Sequence, residues 1–224
     1  MATLVSHFTF DNTLNDAVGS NTLSNVGTGQ SFSDSVFRKG THALSLDGSG
    51  FVRKASQTGI NTGNADLSFG GWFRPTTATD VDCLGALGVN SGINNSCLWM
   101  TKLSATVIRV DLASDALSFT VPAMSNATFY WVWCEYTAAS KTSALYLDNT
   151  ISSSGAQAHA ANLALNATTD IQIGGDPDDN SIFTGYMDDW RFYNGVTSEA
   201  ERTAIYNFGA GVKTPLSSRG IIPT

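Results

Sequence analysis

Two adjacent carboxylates, Asp188 and Asp189, sit inside the stretch Phe183-Thr-Gly-Tyr-Met-Asp-Asp-Trp-Arg-Phe-Tyr-Asn194, where most neighbours are aromatic or apolar. A carboxylate taken out of water needs a cation or strong donors, so a bound metal or an arginine is expected beside them. Trp190 and Phe192 share one face of a period-two strand, whereas Met187 has the opposite parity. A β-bulge at the Asp pair would bring all three to one core and turn a carboxylate aside. A second set lies in Phe129-Tyr-Trp-Val-Trp-Cys-Glu-Tyr136, where Trp131, Trp133 and Glu135 alternate with Val132, Cys134 and Tyr136. Two tryptophans on one strand face form either a sugar-stacking platform or a patch that something else buries. Cover by neighbouring loops is the favoured reading. On an open face, Trp131, Trp133 and Glu135 are the candidate ligand-binding residues.

Hydrolytic chemistry fits the pattern poorly. Glycoside hydrolysis commonly uses two closely placed carboxylates, and Glu135 has no glutamate at i+2 or i+5. Asp80, Asp82, Asp176, Asp178 and Asp179 lie in Gly-, Pro- or Asn-rich segments and read as solvated turn acids. His7, His42 and His159 lack a flanking nucleophile motif. The expectation is a non-enzymatic chain without catalytic residues.

The elements that must position these groups are strands. Hydrophobic residues make up 42% of the 224 and charged ones only 14%, a Ser/Thr/Asn-rich balance that suits sheets better than Lys/Glu-paired helices. The net charge of -7 and a scatter of twelve Lys and Arg argue against a nucleic-acid groove. No apolar run approaches a membrane span, and Met-Ala-Thr-Leu-Val-Ser-His lacks the basic and apolar segments of a secretory signal. Cys134 reads as a buried thiol; Cys83 and Cys97 could pair across a hairpin, although an odd cysteine count weighs against a disulfide framework.

Alternating segments recur about every ten residues, from Leu4–Phe10 through Phe32–Phe37 to Phe129–Tyr136 and beyond. Asp47-Gly48 between Ala43–Leu46 and Gly50–Arg53 reads as a hairpin turn. Cys83–Val89 with Ser96–Met100, and Thr106–Leu112 with Leu117–Val121, read as two more strand pairs. Thr197-Ser-Glu-Ala-Glu201 opens a short helix that runs to about Asn207. The fold class is all-β: a two-sheet antiparallel jelly-roll sandwich over residues 1–208, with one short C-terminal helix and an extended tail at 209–224.

Phe10-Asp11 with Asn15-Asp16-Ala-Val-Gly19, Ala43-Leu-Ser-Leu-Asp47-Gly48, Leu67-Ser-Phe-Gly-Gly-Trp72-Phe-Arg-Pro75, Leu145-Tyr-Leu-Asp148, Ile171-Gln-Ile-Gly174 and Gly185-Tyr-Met-Asp188-Asp189-Trp-Arg-Phe-Tyr193-Asn194 follow one another in a recognisable order. They resemble the laminin G-like, concanavalin A-like jelly-roll domains of bacterial and phage surface proteins. Phe129 departs from the family's usual Trp, and Asn149 from the Gly of its usual Asp-Gly hairpin. The resemblance implies that Val132, Cys134 and Tyr136 point inward. It also implies one structural calcium ion (Ca2+) near the terminal strands, ligated by Asp16 and Asp188 with Asp11 and Asp189 as weaker candidates.

The fold hosts lectins, adhesins, hydrolases and capsid components, so it names no function by itself. The leading expectation is a phage virion component, a capsid decoration or appendage protein at the virion surface. Its partners would be neighbouring protein subunits, docked through the C-terminal tail or the termini in an oligomeric assembly without nucleic acid or membrane. The alternative is a calcium-dependent carbohydrate-binding module, extracellular or at the cell surface, that takes a surface glycan.

Overall fold

The computed structural model describes residues 1–88, 96–112, 115–177 and 181–209. The expected tail at 209–224 therefore lies, beyond Gly209, outside the described residues, as do Asp178 and Asp179. The strands are β1 (Thr3–Phe8), β2 (Ser24–Gly27), β3 (Gln30–Ser33), β4 (Ala43–Asp47), β5 (Gly50–Lys54), β6 (Leu67–Pro75), β7 (Asp82–Gly88) and β8 (Cys97–Ser104). They continue with β9 (Val107–Leu112), β10 (Asp115–Thr120), β11 (Tyr130–Thr137), β12 (Thr142–Leu147), β13 (Thr150–Ile151), β14 (Gln157–Ala158), β15 (Ile171–Ile173) and β16 (Thr184–Asn194). One helix, α1 (Glu199–Gly209), follows.

Two antiparallel sheets face each other. One runs β13-β12-β11-β6-β16-β4-β3, with β1 also on β16 and β14 also on β12; the other runs β10-β9-β8-β7-β15-β5-β2. Alternation along each strand sends one set of side chains between the sheets. Val132, Cys134 and Tyr136 of β11 meet Leu98 and Met100 of β8, Ile108 and Val110 of β9 and Ile171 and Ile173 of β15 in one core.

The expected bulge is present. Four residues of β16, Asp188 to Arg191, oppose three of β6, Trp72 to Gly70, and Asp189 takes a left-handed φ of 51°. Aspartate tolerates that conformation better than most side chains. The extra residue switches parity, so Met187, Trp190 and Phe192 all reach the inter-sheet core. Trp190 spans the two layers: a Cβ on Gly71 would lie 2.4 Å from its ring, and a Cβ on Gly85 of the facing sheet also 2.4 Å. Gly71 of β6 and Gly85 of β7 therefore make a slot for an indole, which donates from Nε1 to the Trp72 carbonyl.

Two expectations need correction. Asp47-Gly48 does not close a hairpin, because β4 pairs with β16 and β3 while β5 pairs with β15 and β2. The turn carries the chain from one sheet to the other, so Leu44 and Leu46 face Val52 across the core. Asp82 is no solvated turn acid: it is buried, opposite Lys102 across β7 and β8. Cys83 and Cys97 form no disulfide, since Cys83 stands opposite Thr101 and Cys97 opposite Gly88; all three cysteines are buried.

The helix begins as expected. Ser198 and Glu201 form a capping box, with Ser198 N–H donating to Glu201 Oε2 at 2.8 Å and Glu201 N–H to Ser198 Oγ at 3.3 Å.

Candidate functional site

The four aspartates assigned to calcium sit where the first and last strands meet. His7 of β1 joins two of them, its backbone N–H donating to Asp16 Oδ1 at 2.9 Å and its Nε2 pairing with Asp189 Oδ1. Asp16 also accepts from the N–H groups of Val18 and Asn21. Burial acts to raise its pKa, but these and other backbone donors outweigh burial and hold it below the ordinary value. Asp11 accepts from the N–H of Thr41 and His42. Asp188 Oδ2 accepts from Arg38 N–H at 2.7 Å and Lys39 N–H at 2.8 Å, so one loop holds both Asp11 and Asp188 with main-chain amides.

The cations gather on Asp189. Lys39 Nζ lies 3.3 Å and Arg191 Nη2 3.1 Å from Asp189 Oδ1, beside His7. Burial pushes Asp189 up, yet His7, Arg191 and Lys39 prevail and hold it at about 2. For Asp188 burial prevails over the two amides, and nearby Asp189 and Asp11 add to it, giving about 7. Asp188 Oδ1 is buried with no hydrogen-bond partner.

A calcium ion needs six to eight oxygens, and these side chains do not fit one. Asp16 and Asp11 are engaged by amides and Asp189 is ringed by positive groups. Among the described residues no three His, Cys, Asp or Glu side chains converge as a metal site. The closure of the termini is a clasp of amides and cations, the arginine alternative of the expectation.

Trp131, Trp133 and Glu135 do lie on the outward face of their sheet, but α1 covers them. Their exposures are 1%, 0% and 5%, so they are not an open sugar platform. Trp131 and Trp133 stack at 5.2 Å, Tyr206 of α1 lies 5.6 Å from both Trp131 and Trp72, and Ile205 joins the cluster. Arg202 of α1 reaches Glu135 Oε1 at 3.0 Å and lies 3.7 Å over the Tyr146 ring. Thr197 donates to Glu135 and accepts from Trp133 Nε1. Helix amphipathicity hides this face, and only the docking of α1 reveals it. Arg202→Met is expected to lower the unfolding free energy by about 2 kcal/mol, the worth of a charged hydrogen bond. An unchanged denaturation midpoint would show that apolar contacts alone hold α1.

One arrangement escaped the sequence. Ser143 Oγ is 2.9 Å from His159 Nε2, and His159 Nδ1 is 3.4 Å from Asp115 Oδ2, the order of a hydrolase triad. Ser143 is fully buried and His159 nearly so. Burial lowers the His159 pKa despite Asp115. The serine has no face open to a substrate, and the three residues tie β12 to the neighbouring segments.

On the outward face of the other sheet, Trp99, Arg109 and Arg53 remain partly exposed. Leu98 and Met100 point into the core, so Trp99 between them points out, half-buried. Cross-strand pairing places it in one outward row: Ser24, Arg53, Gln172, Ala86, Trp99, Asp111, Ala116. Arg109, two residues from Asp111, donates from Nε to Asp111 Oδ2 at 2.6 Å. Burial raises the Asp111 pKa, and Arg109 opposes that. Gln172 is 1% exposed, donates to Gly88 O at 3.3 Å and has no partner for Oε1. Asp170, also buried, accepts from Ser56 N–H and lies 3.8 Å from Arg53 Nε. The signals were present in the sequence: Trp99, Arg109 and Asp111 all have the parity opposite to their apolar neighbours.

An aromatic ring on one face with oriented guanidinium groups can stack on an apolar ring face and hydrogen-bond its substituents. With two facing antiparallel sheets behind it, the molecule is a lectin-like β-sandwich. The chain belongs to the concanavalin A-like lectin/glucanases superfamily, whose family model matches residues 46–201. Solved structures with this fold include domain 4 of an extracellular arabinanase from Geobacillus stearothermophilus in complex with arabinotriose. It is 16% identical, with a TM-score of 0.70, and the match covers 92% of this chain and 98% of that one.

The binding domain of botulinum neurotoxin serotype G is 12% identical, TM-score 0.66, covering 91% of this chain and 50% of that one. A structure of botulinum neurotoxin type C, whose cell entry depends on interaction with two ganglioside molecules, is 14% identical, TM-score 0.68, covering 92% and 51%. The chain thus spans about half the length of the neurotoxin structures. No curated sequence matches it. Among the described residues no helix is long and apolar enough to cross a membrane.

Proposed function

We propose that the chain is a non-enzymatic carbohydrate-recognition module of an extracellular or cell-surface protein, and that it holds its glycan on the open face around Trp99. The observation that carries this reading is the half-buried indole of Trp99 on the same sheet face as two partly exposed arginines, Arg109 and Arg53. Support comes from similar folds, one in complex with arabinotriose and one from a neurotoxin that interacts with gangliosides. A non-catalytic role is supported by Glu135 being committed to Arg202 and Thr197, and by Ser143 being sealed from solvent.

The test is binding of the whole chain to an array of glycans, followed by titration of the best one. Trp99→Ala should weaken binding about thirtyfold, the loss of a central aromatic anchor worth about 2 kcal/mol, while the thermal midpoint stays put. Undiminished binding by Trp99→Ala would move the site elsewhere.

A further inference from the structure

Resting on that reading of the open face, we infer that the ligand is a linear acidic saccharide, with carboxylate or sulfate groups along its length, laid across the strands. Of the five tryptophans, Trp72, Trp131, Trp133 and Trp190 are at most 1% exposed; Trp99 alone is half-buried. In a chain of net charge -7 with only twelve Lys and Arg, two arginines flank it on this same face. Arg53 stands three strands to one side, and Arg109 projects from the next strand on the other side.

Both arginines are oriented. Arg109 is held through Nε by Asp111, and Arg53 has its Nε turned toward Asp170. The two aspartates are themselves buried, 3% and 5% exposed, whereas the arginine side chains remain 35% and 36% exposed. The carboxylates lie beneath the guanidinium groups, whose terminal N–H forks make no other hydrogen bond among the described residues. Such forks match a planar carboxylate or a sulfate in bidentate fashion.

Spacing decides between one sugar and a chain of them. Strands lie about 4.8 Å apart, so the row from Arg53 to Asp111 is about 19 Å long, four strand intervals. A single ring on Trp99 cannot touch both arginines, whereas an oligosaccharide running perpendicular to the strands spans Arg53, Trp99 and Arg109.

Titration of the whole chain with oligogalacturonate, dextran sulfate and neutral dextran tests this. Expected are binding of one or both acidic polymers, at least about tenfold weaker binding of dextran, and an affinity that falls as salt rises. Arg53→Gln and Arg109→Gln should each cost about tenfold. Arg109→Lys, which keeps a charge beside Asp111 and the fold intact, should lose nearly as much because it lacks the fork. Monomeric galacturonate should compete poorly.

A neutral linear glycan bound through Trp99 without dependence on either arginine would overturn the acidic assignment and leave the recognition module standing. Poly-glutamate bound as tightly as the saccharides would overturn it as bare charge attraction. Failure of acidic and neutral glycans alike would sink both readings.

Discussion

Lys102→Met is expected to lower the unfolding free energy by about 3–5 kcal/mol, the cost of stranding one member of a buried ion pair. Lys102 has no exposed surface, and its Nζ lies 2.9 Å from Asp82 Oδ2. The same ammonium donates to the carbonyls of Thr77, Ala78 and Asp80, gathering the segment between β6 and β7 around one charge. Burial raises the Asp82 pKa and Lys102 opposes it, so without the lysine this carboxylate would have to take a proton or admit water. The double variant Lys102→Met with Asp82→Leu should regain only part of the loss, since it removes the stranded carboxylate but still leaves the carbonyls of Thr77, Ala78 and Asp80 without their donor. Denaturant unfolding of the three proteins measures both quantities. A single-variant loss under about 1 kcal/mol would mean that solvent reaches Asp82 unaided.

The clasp between β1 and β16 should respond in opposite senses at its two adjacent aspartates. Asp189→Asn is expected to cost about 3–5 kcal/mol at neutral pH, because Lys39 and Arg191, with His7, would face a neutral amide in a buried site. Asp189 itself is held at about 2, below 3.8. Its contribution is thus present above pH 4 and is lost as pH falls through 2.

Asp188 has the other sign. Its pKa of about 7 stands above 3.8, so its protonated form favours the fold at low pH, and that contribution disappears as pH rises from 4 through 7. Asp188→Asn keeps an oxygen for the amides of Arg38 and Lys39 and removes the charge. It should therefore be more stable than the parent at pH 8, with the gain vanishing toward pH 4. Thermal unfolding from pH 4 to 8 checks this. Equal destabilisation by both Asn variants at pH 8 would show that Asp188 is needed as an anion.

Much of the architecture was legible in the residues because β-sheets obey a local rule. Period-two alternation marked most of the strands. The parity conflict between Met187 and Trp190 called for a bulge at Asp188-Asp189. Thr197-Ser-Glu-Ala-Glu201 marked the helix start, since acids favour the first turn of a helix. The Asp47-Gly48 turn misled because turn chemistry reports a reversal and not which sheet receives the next strand.

The candidate site divides along the same line. Residue types and parity were enough to establish a sandwich of alternating strands, one shared face for Trp131, Trp133 and Glu135, and carboxylates in need of positive partners; that this face points outward was implied by the resemblance to laminin G-like domains. Which outward tryptophan stays accessible was decided by tertiary structure, when α1 folded back onto Trp131 and Trp133 while Trp99 on the other sheet stayed only half-buried. The partners of Asp82, Asp188 and Asp189 were decided there too, for Lys102, Arg38, Lys39 and His7 are brought in from distant strands and loops. Alternation is a property of one strand, whereas cover and charge pairing depend on which strand, loop or helix is packed against it.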